Sequence, residues 1–486
     1  MIRREVARGL VREAGGEALL ERLEHLDAVR SARASGAAGA PGAAGARGEG
    51  LRAPDRGARP DHDVVIAGGG LSLLLAPLLA AKGLRVAVLD RARVGGAHRE
   101  WNAGEAEVQA LVGCGLFSRE EVERLIVARY REGFCRWHGG GTYPVRGVLD
   151  HAIDARGLLD AARAQAEARG VSLLDEHALV AHAEGRDAVA LSVESGGVRR
   201  SLSTRLLVDA RGAASPYATA DLICPTVGGV MEGLEVGPGP RQIQPDVGEI
   251  LVSTEGIDGG FQHLWEGFPG RPGETTVYLF YYARAEDVGP GALVSLYARF
   301  FAQLGRYKAG EPQLVRPTFG YIPGWSRLSP APRAKGRRVK LVGDAAARHS
   351  PLTFCGFGAS VRGLARTAKA LGEAVERPEV SEMGEDAPVH AGTGALAALM
   401  ARPPRGMGAE GMNALLDTAF SVLHAEGDAF YGALLRDEMS AGDFVGFLQK
   451  TARLRPSVYR EVFGALGAGA LGRWGVGLAR ELLRVG

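Results

Sequence analysis

The stretch from residue 61 to residue 90 constrains the fold more than any other. A buried-strand pattern, Asp61-His62-Asp63-Val64-Val65-Ile66-Ala67, apolar from Val64 onward, runs into Gly68-Gly69-Gly70, and an apolar helical pattern follows over 71–82. A second strand pattern at 84–90 completes a strand–turn–helix–strand unit of about thirty residues. Consecutive glycines let a backbone approach a pyrophosphate, whose charge sits where free N–H groups point at a helix start. The third glycine of the usual dinucleotide fingerprint is missing: Leu73 stands there, with Ser72 beside it. Asp90, twenty residues past Gly70, ends the second strand, where a ribose-binding carboxylate belongs.

Residues 64–81 also form an uncharged run of eighteen, which meets the length of a membrane span. Gly68, Gly69, Gly70 and Pro77 interrupt it and another strand follows at once. A strand, a glycine turn and a buried helix account for it, and no transmembrane span is expected.

Two later segments echo the first. Val208-Asp209-Ala210-Arg211-Gly212 and Leu341-Val342-Gly343-Asp344-Ala345-Ala346 each place an Asp at a strand end. The second continues through His349 and Pro351 into the Gly356-Phe357-Gly358 turn, which starts a helix over 358–375. Asp344 can accept from ribityl hydroxyls, and the helix start can face the electron-rich edge of a flavin ring. A dinucleotide fold that returns late in the chain with Gly343-Asp344 argues for FAD rather than NAD.

With 486 residues, the chain has room for two or three domains. A 46% hydrophobic and 23% charged composition excludes wholesale disorder. Net charge is +2 and the arginines are dispersed, so no nucleic-acid partner is expected. The four cysteines, at 114, 135, 224 and 355, show neither paired spacing nor a metal pattern. The opening residues lack the apolar core of a secretory leader, and a cytoplasmic location is expected.

The expected division is a helical segment over 1–33 and an Ala/Gly/Pro/Arg linker over 34–60 that cannot bury a core. The FAD-binding domain follows at 61–224, a β-rich substrate domain at 225–332, and the return of the FAD-binding domain at 333–376. A loop over 377–410 and a helical region over 411–486 end the chain. Helical patterns also fall at 119–130, 156–169 and near 290–304. The fold class is α/β, a Rossmann-type FAD-binding domain with an inserted β-rich domain. At the C-terminus, Leu471, Trp474, Leu478, Leu482 and Val485 recur at helical spacing with Arg473, Arg480 and Arg484 around them. Such a basic amphipathic helix can lie peripherally on a membrane, or can simply pack on the protein's own core.

The segments GDAAARHSPLTFCGFGA, LWEGFPGRPGETTVYLFYY, HREWN, LVDARGAASP and TFGYIP, in their order along the chain, resemble lycopene-cyclase-like flavoproteins of the CruA/CruP type. These are similar to the p-hydroxybenzoate hydroxylase and geranylgeranyl reductase class of FAD folds. The likeness runs from about 61 to 370 and more loosely through 412–450. It implies FAD, in reduced form with NAD(P)H as external reductant, and a long apolar isoprenoid or carotenoid substrate. Arg99, in HREWN, joins the glycines, Asp90, Asp344 and the Pro351 and Phe357 segment on the cofactor side. The sequence departs from plant and proteobacterial cyclases, because their Phe-Leu-Glu-Glu-Thr acidic pair aligns with Phe280-Tyr281-Tyr282.

Cyclising such an end group needs a carboxylic acid kept protonated at neutral pH, which burial among apolar groups achieves. It also needs electron-rich faces to stabilise a cation. Glu266, between Trp265 and Phe268, is the expected acid, with Glu100 and His98 behind it. Trp265, Phe268, Phe280, Tyr281, Tyr282, Tyr321 and Trp325 are expected along the substrate tunnel. Three readings fit: a non-redox cyclase, an NAD(P)H-driven flavin oxidoreductase acting on a lipid, and a flavin- and carotenoid-binding protein without turnover.

Overall fold

The computed structural model describes residues 4–34, 51–52, 57, 59–96, 99–218, 220–328, 336–347, 350–353, 356–379, 391–404 and 406–484. Most of the linker 34–60, together with His98 and His349, lies outside the described residues. Two sheets organise the chain. The first orders its strands Ser172–Leu174, Val86–Leu89, His62–Ala67, Val198–Asp209, Val189–Ser195 and Ala178–Glu184. Val339–Leu341 joins it, parallel to the end of Val198–Asp209. His62–Ala67 is parallel to both of its neighbours. Parallel strands covered on both faces carry unbroken apolar runs, and Val64, Val65, Ile66 and Ala67 are all fully buried. Helices Leu75–Ala80, Ala155–Ala168 and Leu364–Glu376 pack one face, while Leu179, Val189 and Leu191 cover the other. The architecture is α/β, as the strand–turn–helix pattern requires.

The second sheet has eight strands. Its order is Ala283–Arg284, Leu222–Leu234, Thr275–Tyr281, His263–Pro269, Val247–Val252, Glu132–Arg136 and Thr142–Val145, with Gly310–Gly324 also pairing Leu222–Leu234. Two of these strands, Glu132–Arg136 and Thr142–Val145, come from well before residue 225, so this sheet draws on both parts of the chain. A third, small sheet sets Trp101–Ala103 beside His151–Ile153, and this places Glu100 and Asn102 against the second sheet while Trp101 packs on the core of the first.

The N-terminal helices Arg4–Gly15 and Glu17–Ala34 pack with helix Ala292–Tyr307 on the outer face of the second sheet. Asp27 is the tie. Its buried carboxylate accepts from the backbone N–H of Leu293 at 3.2 Å, at the start of that helix, and from the Tyr321 hydroxyl. Nearby, Arg30 donates to the Val288 carbonyl at 2.7 Å.

Several local expectations change. The helix expected over 119–130 stops at Leu125, and Ile126–Arg129 pairs as a strand with His151–Ile153, where β-branched Ile126 and Val127 are better suited. The helix over 358–375 is two, Gly356–Arg362 and Leu364–Glu376, divided at Gly363. Within the expected loop 377–410, Ala391–Ala401 is helical and sends Ala395, Ala397 and Leu399 into the core. The C-terminal region is helical throughout, in five segments from Gly411–Ala425 to Ala468–Arg484.

Among the described residues no single helix is long and apolar enough to cross a membrane. The last two helices reach that composition together but are bent by 113°. Leu471 and Trp474 pack on the core, whereas Leu454, Tyr459, Phe463, Val476, Leu482 and Leu483 stay exposed.

Candidate functional site

A cavity of about 1170 Å³ runs from the glycine turn of the first sheet to the inner face of the second. At the first end, Gly68 has φ +115°, and a Cβ there would lie 2.4 Å from the Ala210 carbonyl oxygen. Only glycine brings the backbone through at this point. The Asp90 carboxylate closes the turn, accepting from the N–H of Gly69 at 2.8 Å and of Ala92 at 2.9 Å. Gly343-Asp344 reaches the same space from the other strand: a Cβ on Gly212 would stand 3.6 Å from that of Asp344. Gly70, Asp90, Gly343, Asp344, Gly356, Phe357 and Gly358 all border the cavity, as does Arg99. Pro351 is buried behind the wall and does not border it.

The helix that starts at Gly356 is held from two sides. Phe357 stacks on Trp101 with ring centroids 4.8 Å apart. Arg362, near its end, pairs with buried Glu107, whose other oxygen accepts from the Gly104 N–H at 2.8 Å. A Cβ on Gly358 would come within 3.1 Å of that Glu107 carboxylate. This end is a narrow cradle with two carboxylates, Asp90 and Asp344, at matching strand ends. The chemistry of the donor set fits a dinucleotide with hydroxyls to bind.

The second end is built by strand alternation. Successive side chains on a strand point to opposite faces, so Glu266 and Phe268 face the cavity while Trp265 faces away. Across the ladder Glu266 pairs with Tyr278, and Leu264 with Phe280, which puts Tyr278 and Phe280 on the cavity side. Glu266 is enclosed by the protein and open only toward the cavity. Burial pushes its carboxyl up to about 7, against the opposing pull of one hydrogen bond, from Asn102 Nδ2 to Oε1 at 3.0 Å. Tyr278, its cross-strand partner, accepts from the Glu100 N–H at 2.9 Å and donates to the Glu100 carbonyl at 3.1 Å.

Four expected tunnel residues, Trp265, Tyr281, Tyr282 and Trp325, lie elsewhere. Trp265 stacks on Tyr307 at 4.7 Å beneath the outer helix, its Nε1–H donating to Thr254 at 3.2 Å. Tyr281 shares that outer face beside Phe261 and His263. Tyr282 is buried with its hydroxyl donating to the Leu352 carbonyl at 2.6 Å. Alternation separates Trp265 and Tyr281 from Glu266 and Phe280, whereas Tyr282 shares the parity of Phe280 and packs against it, ring centroids 6.1 Å apart, just past the end of the strand. Trp325 does not border the cavity, whereas Tyr321 does, with its hydroxyl bound to Asp27. Glu100 borders it too, but its carboxylate is paired with Arg316 at 2.6 Å. Burial raises the Glu100 carboxyl against the pull of that arginine.

Sequence reasoning did not single out Asn102, Trp101 or Tyr278, although all three stand inside the quoted segments. Parity was the available signal for Tyr278, since it lies two residues from Phe280 on one strand. The contribution of the N-terminal helix, through His25, Leu26 and Val29 in the cavity wall, had no signal in sequence.

No protein-family model and no curated protein matches the chain. Solved structures do. A geranylgeranyl bacteriochlorophyll reductase-like protein from Thermoplasma acidophilum superposes with a TM-score of 0.55 at 14% identity, over 82% of this chain and 98% of that one. A flavoprotein/dehydrogenase from Cytophaga hutchinsonii gives 0.57 at 13% identity, over 82% and 98%. The halogenase PltM, in complex with phloroglucinol and FAD, gives 0.53 at 12% identity, over 86% and 96%. The fold is theirs. At such identities the likeness carries architecture, and the chemistry must be argued from the residues of this chain.

Proposed function

We propose that this chain is an FAD-dependent enzyme that protonates a carbon–carbon double bond of a long apolar isoprenoid, with Glu266 as the proton donor. The observation that carries the reading is an uncompensated carboxyl, raised to about 7, on the apolar wall of a cavity continuous with a dinucleotide cradle. Gly68 and Gly70 would admit the pyrophosphate, whereas Gly69 packs on Val94 and does not border the cavity; Asp90 and Asp344 would accept from the ribose and ribityl hydroxyls. Bound FAD would supply an electron-rich ring system and, when reduced, hydride equivalents.

The chain's own residues account for the proton. Asn102 orients Oε1, so that the acidic proton on Oε2 is presented to the cavity. A proton delivered from there to an end-group double bond leaves a tertiary cation. The faces of Tyr278 and Phe280 would stabilise a desolvated cation by about 2 kcal/mol. A nearby double bond of the same chain attacks this cation and closes the ring, and loss of a proton from a carbon beside the new ring cation restores neutrality without net redox; this is the lycopene-cyclase-like outcome. The exposed apolar side chains of the last helices, with Arg453, Arg460, Arg473 and Arg480 among them, form the face we assign to a membrane surface, from which such a substrate would enter.

A second reading, reduction of an isoprenoid double bond, shares the same acid and is favoured by the likeness to the geranylgeranyl bacteriochlorophyll reductase-like structure. Expression in a lycopene-accumulating host, followed by pigment chromatography, tests the first. Cyclic product with no net reductant consumed supports cyclisation, and saturated product with one reductant consumed per bond supports reduction. Glu266→Gln should abolish either while leaving flavin bound. Normal turnover by that variant would remove Glu266 from the mechanism.

A further inference from the structure

Beside the main cavity lies a smaller chamber of about 350 Å³, walled by the N-terminal helix Glu17–Ala34 and by strand Gly310–Gly324. Arg22, Arg91, Arg99 and Arg316 line it, with Glu100 as its one carboxylate. Glu100 is committed to Arg316, whose Nε and Nη2 reach the same oxygen at 3.0 and 2.6 Å. Among the described residues no carboxylate pairs with Arg22, Arg91 or Arg99. The Arg22 guanidinium rests over the Phe319 ring at 4.9 Å, which holds it in place without neutralising it. Arg99 lies against the strand at Gly320, where a Cβ would stand 3.4 Å from its Nη2. The chamber and the cavity share Arg22, Leu26, Arg91, Arg99, Glu100 and Phe319 in their linings, so they adjoin each other.

From this we infer that the chamber takes a phosphate-class anion belonging to a molecule that enters the main cavity. Guanidiniums brought together around one concave space repel each other unless an anion joins them, and their planar forks match phosphate oxygens. The helix that carries Arg22 is fixed in place. Helix Glu17–Ala34 is anchored by Asp27 to Tyr321 and to the N–H of Leu293, and by Arg30 to backbone carbonyls. Arg22 stands five residues before that anchor on the same helix. The phosphate could be the head of the isoprenoid substrate itself or the 2′-phosphate of NADPH. The first case rests on the reading above, that an apolar chain fills the cavity.

Calorimetric titration of the flavin-loaded protein tests this with two ligand pairs: geranylgeraniol against geranylgeranyl diphosphate, and NADH against NADPH. The expected result is that the member of one pair with the additional phosphate charge, geranylgeranyl diphosphate or NADPH, binds about tenfold more tightly than its partner at low salt. That advantage should shrink as salt rises, and Arg22→Gln should reduce it several-fold while leaving geranylgeraniol affinity unchanged. A preference confined to the diphosphate assigns the anion to the substrate, and one confined to NADPH assigns it to the reductant; either supports the chamber. Arg22-dependent binding of inorganic pyrophosphate, with no binding of geranylgeraniol, would keep the chamber and overturn the isoprenoid reading instead. If neither pair shows a preference that responds to Arg22→Gln, the inference is overturned.

Discussion

Replacing Glu266 by Gln isolates the group on which the proposed chemistry depends. Burial holds its carboxyl at about 7, against 4.5 for the free group. That difference corresponds to roughly 3 kcal/mol of preference for the neutral form. It is an upper bound, reached when apolar substrate fills the cavity, because water in the cavity would restore part of the lost solvation. The sign follows from proton binding. Between 4.5 and about 7 the folded protein keeps a proton that the unfolded chain has released, so stability falls as pH rises through that window. The amide of Glu266→Gln cannot ionise and escapes the loss. The variant should therefore exceed wild type by about 1–3 kcal/mol near pH 8.5, and by much less near pH 5. Urea denaturation at the two pH values measures the difference. Infrared spectroscopy adds a direct check, a protonated-carboxyl band that fades near neutral pH in wild type and is absent from the variant. Equal stability differences at both pH values, with no such band, would refute the reasoning that burial keeps this acid protonated.

Asn102→Ala removes the one hydrogen bond that favours the Glu266 carboxylate, so the same infrared midpoint should move upward; a downward move would contradict the assignment. Gly68→Ala places a Cβ against the Ala210 carbonyl at a positive φ, a strain of about 1–3 kcal/mol, and the purified variant should lose most of its flavin absorbance. Lys308 is buried and paired with Glu249 beneath the outer helix. Lys308→Met should cost about 3–5 kcal/mol in denaturation, much of it recovered when Glu249→Leu is added.

The first sheet was legible because its signals are local. Val64, Val65, Ile66 and Ala67 form an unbroken apolar run, the glycines follow at once, and Asp90 ends the next strand. The second sheet was legible in composition but not in register. The run Thr275–Tyr281 is buried at every position, so hydrophobicity cannot tell which parity faces the cavity, and Tyr281 and Phe280 look equivalent until the partner strand fixes the faces. Glu266 was singled out because the chemistry called for an acid among aromatics, not because its parity was readable; a Glu on a strand fits a solvent face equally well until the partner strand fixes the faces. Arg22 and Asp27 could not be read at all. Their partners, Phe319 and Tyr321, lie nearly three hundred residues away, and a helix with charges on several faces does not announce which charge is buried.

The tie at Asp27 also orders events at the ribosome. Its hydroxyl partner, Tyr321, follows it by 294 residues, and the helix start it binds at Leu293 follows by 266. At roughly 5–20 residues per second, that interval lasts about 15–60 seconds. Throughout it, Ala7, Val11, Leu19, Leu20 and Leu23, which end fully buried against the outer helix, have no surface to cover them. Helices Arg4–Gly15 and Glu17–Ala34 are thus among the last elements to reach their final contacts, since the wall they pack against is made more than 260 residues after them.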